Sequence, residues 1–290
     1  MPSDRTTSFS TAAATMPRRS RADLGLGVLT RSPGITRRHL QIALGLLWLL
    51  DGVLQAQPFM FTRGFATQAI AGVAQGQPGF VSDPVHWVST AIAAHPVAWN
   101  LSFAGIQLLL GVGLLVPRAA RVALGASIVW ALGVWYLGEG LSGLASGHAS
   151  LITGAPGSAL LYAILAAAAW PRGDSSRAVS APWLPYAWSV VWLGAAVFQA
   201  MPGQAPDLGP VPVVLLVAVE YLIGVGALWR RTRPPAAVLG LVLALVFWVF
   251  GQDLGMLGSG QATDPNSGPA LALMAIALLA GSGPRMRPSG

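Results

Sequence analysis

The stretch IQLLLGVGLLVPRAARVALGASIVWAL, residues 106–132, decides the fold. Two apolar runs flank a short break, Pro117-Arg118-Ala119-Ala120-Arg121. Neither run carries a charge. Continued outward, each reaches the roughly 16–20 residues that suit a helix crossing a hydrocarbon core about 30 Å thick. A break this short, charged only by arginine, reads as a turn held at the membrane surface.

The same pattern recurs on both sides. Eight apolar segments fall at 39–57, 98–116, 122–138, 154–171, 185–201, 211–229, 235–251 and 268–283. Composition agrees with a lipid-facing chain. Hydrophobic residues make up 54% and charged residues 9% of the 290, with a mean hydropathy of +0.61. A soluble domain carries about 25% charged residues, so this chain has too little polar surface to face water all round. The expectation is an all-α integral membrane protein with about eight transmembrane helices, arranged as two tandem parallel four-helix units. The absence of cysteine excludes disulfides, thiol chemistry and cysteine-ligated clusters.

Charge sets the orientation. All 17 basic residues are arginine, and the formal net charge is +7. They sit in clusters between apolar runs, as topology determinants rather than as a nucleic-acid surface. With a cytoplasmic N-terminus, the inner segments hold Arg5, Arg18, Arg19, Arg21, Arg31, Arg37 and Arg38, then Arg118 and Arg121, then Arg172 and Arg177. Arg230, Arg231, Arg233, Arg285 and Arg287 follow; only Arg63 falls outside. The reading is a multi-pass protein of the cell (inner or plasma) membrane with both termini cytoplasmic. Its parts are a disordered arginine-rich tail at 1–38, a first unit at 39–171 with an outer insertion at 58–97, a linker at 172–184, a second unit at 185–283 and a tail at 284–290. Thr36-Arg37-Arg38-His39-Leu40 resembles a secretory signal, but no convincing small-x-small cleavage site follows, so the first span is read as retained.

The two halves repeat. Residues 106–113 match 219–226, and 134–139 match 247–252, both at a spacing of 113. The same spacing sets Ser146-Gly147-His148-Ala149 on Ser259-Gly260-Gln261-Ala262 and Pro156 on Pro269. Trp48, Gln55 and Pro58 match Trp192, Gln199 and Pro202 at a larger spacing, which locates an insertion of roughly thirty residues near 59–95. The insertion reads as one or two short interfacial helices, with a start at Asp83-Pro84 and a stop at His95-Pro96.

Ionisable groups within hydrocarbon are few and costly. Asp51 and Glu220 qualify. Each is expected to be protonated or bonded to an amide, with Gln55, Gln107 and Gln199 as available partners. Gln55 lies one helical turn beyond Asp51 on the same face. These five form a candidate polar pocket for a headgroup or a proton; the competing reading is that they hold helices together. A second candidate pocket lies outside and comprises Trp135, Glu139, His148, Trp248, Gln252 and Asp253. Here the competing reading is an interfacial turn with a solvated glutamate, and packing roles for the two tryptophans. Gly138 and Gly140 flank Glu139 and allow close backbone approach. Gly138-Glu139-Gly140-Leu141-Ser142-Gly143 fits GxGxxG but follows no strand, so dinucleotide binding is rejected. His86, His95 and His148 show no compact metal spacing, and no metal is expected. His39 reads as an interfacial side chain.

Residues 106–132 and their repeat from Val219 to Trp248 resemble the second and third spans of DoxX-like membrane proteins, which are four-helix units. A relative, DoxD, is a membrane subunit of thiosulfate:quinone oxidoreductase. The resemblance implies a redox- or quinone-linked component with Glu220 at the family's acidic position; Gln107 stands there in the first copy. The family's Gly-x-x-Lys ending of the first span is replaced by Gln55-Ala56-Gln57-Pro58.

Three functions stay open at this point. One is a DoxX-like component with no cofactor of its own, binding quinone beside a partner enzyme and not acting as a stand-alone enzyme. Another is a scaffold or assembly factor that contacts a partner membrane or extracytoplasmic protein. The third is a small-solute transporter. All three place the chain in a lipid bilayer, without nucleic acid.

Overall fold

The computed structural model describes residues 35–171, 179, 181–201 and 210–282. Residues 1–34 of the tail expected at 1–38, most of the linker at 172–184 and the C-terminal tail lie outside the described residues, with the arginines they carry; the end of the expected tail is corrected, since Thr36 caps the first helix and Arg37 and Arg38 open it. Among the described residues every regular element is a helix and no strand occurs. The longer helices are α1 (Arg37–Gln55), α2 (Gly79–Ala94), α3 (Pro96–Leu115), α4 (Ala120–Leu137), α5 (Ser158–Ala168), α6 (Leu184–Ala200), α7 (Pro210–Gly226), α8 (Arg233–Val246) and α9 (Ser267–Gly281).

All helices but α2 fall on the eight apolar segments, yet the expectation of eight full-length spans is not met. Three helices are long and apolar enough to cross a membrane: Pro96–Leu115, Ala120–Leu137, and Arg233–Gly251, in which α8 runs on through a π turn at Phe247–Gly251. Four others are shorter, at 11 to 17 residues. For α5 the reason lies in its start. The segment expected from 154 spends its first four residues in a turn at Gly154–Gly157, with φ of 121° and 107° at the two glycines, so α5 begins only at Ser158.

Helix pairing is the same in both halves. α1 packs mainly on α3, α3 on α4, and α4 on α5; α6 packs on α7, α7 on α8, and α8 on α9. The halves meet mainly where α5 lies against α9. Small residues set the closest approaches. A Cβ on Gly111 would stand 2.6 Å from Leu49 Cγ, and one on Gly224 would stand 2.7 Å from Leu193 Cγ. Small residues at a helix crossing let backbones meet and gain dispersion contacts where lipid supplies no hydrophobic drive.

Arginine closes one end. The Arg38 guanidinium donates to the carbonyl oxygens of Leu114 (2.8 Å) and Leu115, at the end of α3. In the second half Arg233 Nε donates to Ala227 O at 2.9 Å, just past α7. Both satisfy carbonyls that a helix end leaves without partners. Thr36 and His39 form a capping box on α1, with the Thr36 hydroxyl accepting from His39 N–H at 3.2 Å. His39 is thus a helix cap, which narrows the interfacial role expected of it.

The insertion forms a 3₁₀ turn (Pro58–Phe61), a π turn (Phe65–Ile70) and α2. It has its own apolar cluster, including Met60, Phe65, Ile70, Val81, Val85 and Ile92. The stop at His95-Pro96 is present, since α3 begins on Pro96. The expected start at Asp83-Pro84 is corrected: α2 begins at Gly79, and Pro84 lies inside it. A proline there removes the N–H that would serve the Phe80 carbonyl. The Tyr136 hydroxyl of α4 donates to that carbonyl instead, which ties the insertion to the body.

Gly111→Ala should therefore destabilise the protein by about 1–3 kcal/mol through overpacking. Gly105→Ala, on the same helix but with nothing within 4 Å of the place its methyl would take, should not. Thermal unfolding in detergent, followed by tryptophan fluorescence, checks this; equal shifts for the two variants would refute the close-packing role.

Candidate functional site

A cavity of about 880 Å³ opens within the first half. Its walls come from α1, α3, α4 and α5, and the insertion covers one side with Phe65, Ile70, Trp87 and Ile92. Trp48, Trp99, Phe103 and Trp130 make much of the remaining wall. The polar lining is sparse: Asp51, Gln55, Gln107, Glu139, Ser158, Tyr162, Gln261, Thr263 and Asp264. Three of these are carboxylic acids, and the lining contains no arginine or histidine.

Local structure positions these groups. Asp51 lies on α1 and is 2% exposed. Its Oδ1 accepts from the Tyr162 hydroxyl at 3.4 Å. Trp48, one turn earlier, meets the Tyr162 ring edge-on at 5.0 Å and donates through Nε1 to Ser127 Oγ at 2.8 Å. Gln55 does not pair with Asp51. Its Nε2 donates to Asn100 Oδ1, while Asn100 Nδ2 donates to Gln55 O at 2.7 Å. Both residues are buried, and these two bonds satisfy the one with the other. Two groups at the cavity have no hydrogen-bond partner among the described residues: Gln107 Oε1 and Trp130 Nε1.

Glu139 follows α4 at the opposite end from Arg38. Its Oε1 accepts from Ser158 Oγ at 2.7 Å and from Ala159 N at 3.0 Å, and its Oε2 accepts from Ser142 Oγ at 3.2 Å. Burial pushes its carboxyl up to about 7, with the Asp264 charge adding to the rise and the three hydrogen bonds opposing it. The backbone next to it is left-handed over four residues, with φ between 51° and 79° from Gly140 to Gly143. Gly140 is required there: a Cβ would stand 2.7 Å from Val73 O of the insertion.

The second half carries the same frame. Asp253 to Met256 are also left-handed, with φ between 46° and 70°. Trp135 Nε1 donates to Pro156 O at 2.7 Å, and Trp248 Nε1 donates to Pro265 O at 2.7 Å. Gln252 stands where Glu139 does: its Oε1 accepts from Gly268 N at 3.1 Å and its Nε2 donates to Ser267 Oγ at 3.0 Å. The matching of Pro156 with Pro269 is corrected by these bonds. Pro265 is the equivalent, because the second turn is four residues shorter.

The two sequence-derived pockets are rearranged. Asp51, Gln55 and Gln107 do share the cavity, but Glu220 and Gln199 do not line it. They lie buried on α7 and α6, and both Glu220 oxygens and both Gln199 amide atoms lack hydrogen-bond partners among the described residues. Of the outer set, Glu139 belongs to the cavity and Trp135 supports it. Trp248 and Asp253 line a separate hollow of about 460 Å³, while Gln252 turns inward and is 4% exposed. His148 is exposed, with Nδ1 2.9 Å from Ser146 O, and joins neither. Tyr162, Asp264, Trp130 and Asn100 escaped the sequence reading. Tyr162 carried a signal: with the four-residue correction, Asp51 and Tyr162 fall on Ala195 and Leu271, so neither partner stands at the matched place in the second half. No group of three or more potential ligands for a metal ion occurs among the described residues.

Comparison with known proteins finds no matching family model, no similar curated protein and no similar solved structure.

The raised Glu139 carboxyl has a definite sign. Below its ordinary value of 4.5 folded and unfolded chains both hold the proton. Between there and about 7 the folded chain keeps a proton that the unfolded chain loses, so stability falls as pH rises through this window. The thermal midpoint of the wild type should drop between pH 5 and 8 by more than that of Glu139→Gln, which should be flatter. Parallel profiles would show that Glu139 does not titrate in this range.

Proposed function

We propose that this chain is a membrane-embedded protein that holds a quinone-like ligand in the cavity of its first half and works beside a redox partner, as a DoxX-like component would. The observation that carries this reading is the lining of the cavity. Its volume of about 880 Å³ lies in the range of small-molecule sites, about 300–1,000 Å³. Its walls are aromatic and aliphatic, and the unpaired Trp130 Nε1–H is a donor without an acceptor. A quinone ring stacks on such walls, and its carbonyls accept from Trp130 Nε1 and from the Gln107 amide N–H. The apolar tail follows the apolar wall toward lipid. An anionic ligand is disfavoured by Asp51, Glu139 and Asp264 with no cation among the lining residues. The chain supplies no electron carrier of its own, so the electrons belong to a partner.

The full architecture belongs to this proposal. The helices form two tandem parallel four-helix units derived by duplication and crossing the membrane eight times, the shorter helices completing their passage with adjoining turns. The matched helix pairing, the matched arginine caps and the matched tryptophan bonds support this. The arginine-capped end faces the cytoplasm, by the preference of arginine for that side.

A second reading, transport of an organic cation, is favoured by the three carboxylic acids of the lining and by the tryptophans, whose faces attract cations.

Titration of the detergent-purified chain with a decyl-substituted benzoquinone should quench tryptophan fluorescence saturably. Gln107→Leu and Trp130→Phe should each weaken binding about tenfold, the loss of a hydrogen bond worth about 1.4 kcal/mol. Unsaturable quenching identical in both variants would defeat the quinone reading. Saturable binding of tetraphenylphosphonium, abolished by Asp51→Asn, would replace it with the cation reading.

Topology is testable because the chain has no native cysteine. A thiol at Ser146→Cys should react with an impermeant maleimide on intact cells, and one at Ala119→Cys only after lysis. The reverse pattern would overturn the orientation.

A further inference from the structure

We propose that Asp264, Glu139, Ser158 and the Tyr162–Asp51 pair form a proton path that joins the buried end of the cavity to the outer surface. The inference deepens the quinone reading and rests on the same cavity. Reduction of a quinone takes up two protons with two electrons, and oxidation of the quinol releases both. The electrons pass through a redox partner protein; the path concerns the protons alone.

The geometry is a ladder on one face of α5. Ser158 and Tyr162 are four residues apart, so they stand on the same face about 6 Å apart along the axis. Ser158 holds Glu139 Oε1 at 2.7 Å, and Tyr162 holds Asp51 Oδ1 at 3.4 Å. All four line the cavity, as does Asp264 from the loop before α9. Ser158 and Tyr162 make no direct hydrogen bond to each other, so the path requires cavity water or the hydroxyl of a bound quinol to span the turn between them. Hydroxyls both donate and accept, so Ser158 and Tyr162 can pass a proton without holding a charge. Glu139 suits the exchange step because its carboxyl titrates at about 7. The groups facing it are Asp264, Asp51, Tyr162, Ser142, Ser158 and the Ala159 amide.

The second half supports a role beyond structure. There Gln252 holds the same two places, its Oε1 accepting from Gly268 N and its Nε2 donating to Ser267 Oγ, the reverse of the Ser158 bond to Glu139, so an amide suffices to hold the helix start. The same half has Ala195 and Leu271 in place of Asp51 and Tyr162. An acid at the entrance and a hydroxyl–carboxyl pair inside occur together, and both are missing together.

The test needs no quinone, so its failure is distinguishable from failure of the ligand reading. In proteoliposomes, infrared bands lost in both Asp51→Asn and Tyr162→Phe define the inner pair. After rapid transfer to deuterated buffer, the wild-type pair should exchange with a rate that follows a titration near neutral pH. Glu139→Gln, which keeps the bonds seen for Gln252, should slow exchange at least tenfold and flatten its pH dependence. Asp264→Asn should slow it as well. An unchanged rate in either variant, or a pH profile the same as wild type in Glu139→Gln, overturns the path.

Discussion

A polar group withdrawn from both water and lipid headgroups must find its partner inside the protein, and this requirement organises the molecule. Helices satisfy their own backbone except at the ends, so the ends become the specified places. At one end Arg38 and Arg233 take the carbonyls left over by α3 and α7. At the other, Glu139 and Gln252 take amide groups at the starts of α5 and α9, and Trp135 and Trp248 take the carbonyls of the prolines just before. These contacts set where α5 and α9 begin and tie Arg38 to the end of α3. The short α5 follows from them, since its start is set by the Glu139 carboxyl group rather than by apolar length.

The two halves use the same frame for different ends. Where the first half has Asp51, Tyr162 and Ser127, the equivalent positions of the second hold Ala195, Leu271 and Gly240. Trp188 packs into the space a side chain at Gly240 would need, 2.4 Å from where a Cβ would stand. The second half thus trades a polar network for apolar packing at the level where the first half keeps a cavity. The insertion completes the contrast. It exists only in the first half, and it supplies Phe65, Ile70, Trp87 and Ile92 to the cavity wall. Neither half satisfies all of its polar groups. Among the described residues Glu220 and Gln199 find no hydrogen-bond partner in the second.

The helical fold and the order of its elements were legible because apolar length and arginine breaks survive in any sequence facing lipid. The helix crossings at Gly111 and Gly224 were not read from the sequence, although both glycines lie in a matched stretch. Helix starts were less legible. Asp83-Pro84 looked like a beginning, but Tyr136 supplies the hydrogen bond that lets α2 run through the proline, and it stands 56 positions from the carbonyl it serves. The site was legible only in part, for the same reason. Asp51 and Glu139 announce themselves as carboxyls among apolar residues. The partner of Asp51 does not, because a tyrosine in an apolar segment is ordinary until the fold sets it opposite a carboxyl. Asp264 is still further removed: it reaches the cavity of the first half from a loop of the second.

That last contact bears on why the halves remain joined in one chain. Asp264 and Thr263 lie immediately before Pro265, whose carbonyl is held by Trp248. Asp264 Oδ1 also accepts from Asn266 N at 2.8 Å, and Asn266 caps α9 through Ser267 N at 2.7 Å. The residues that close the first cavity are therefore anchored by the helix start of the second half. Across the boundary, Gln252 donates to Leu151 O at 3.2 Å, so each half steadies a loop of the other. A shift of α9 against α5 would move Asp264 relative to Glu139 and change the field that each carboxyl feels. The second half needs no ligand of its own for this role; the start of α9 holds the loop at the mouth of the first.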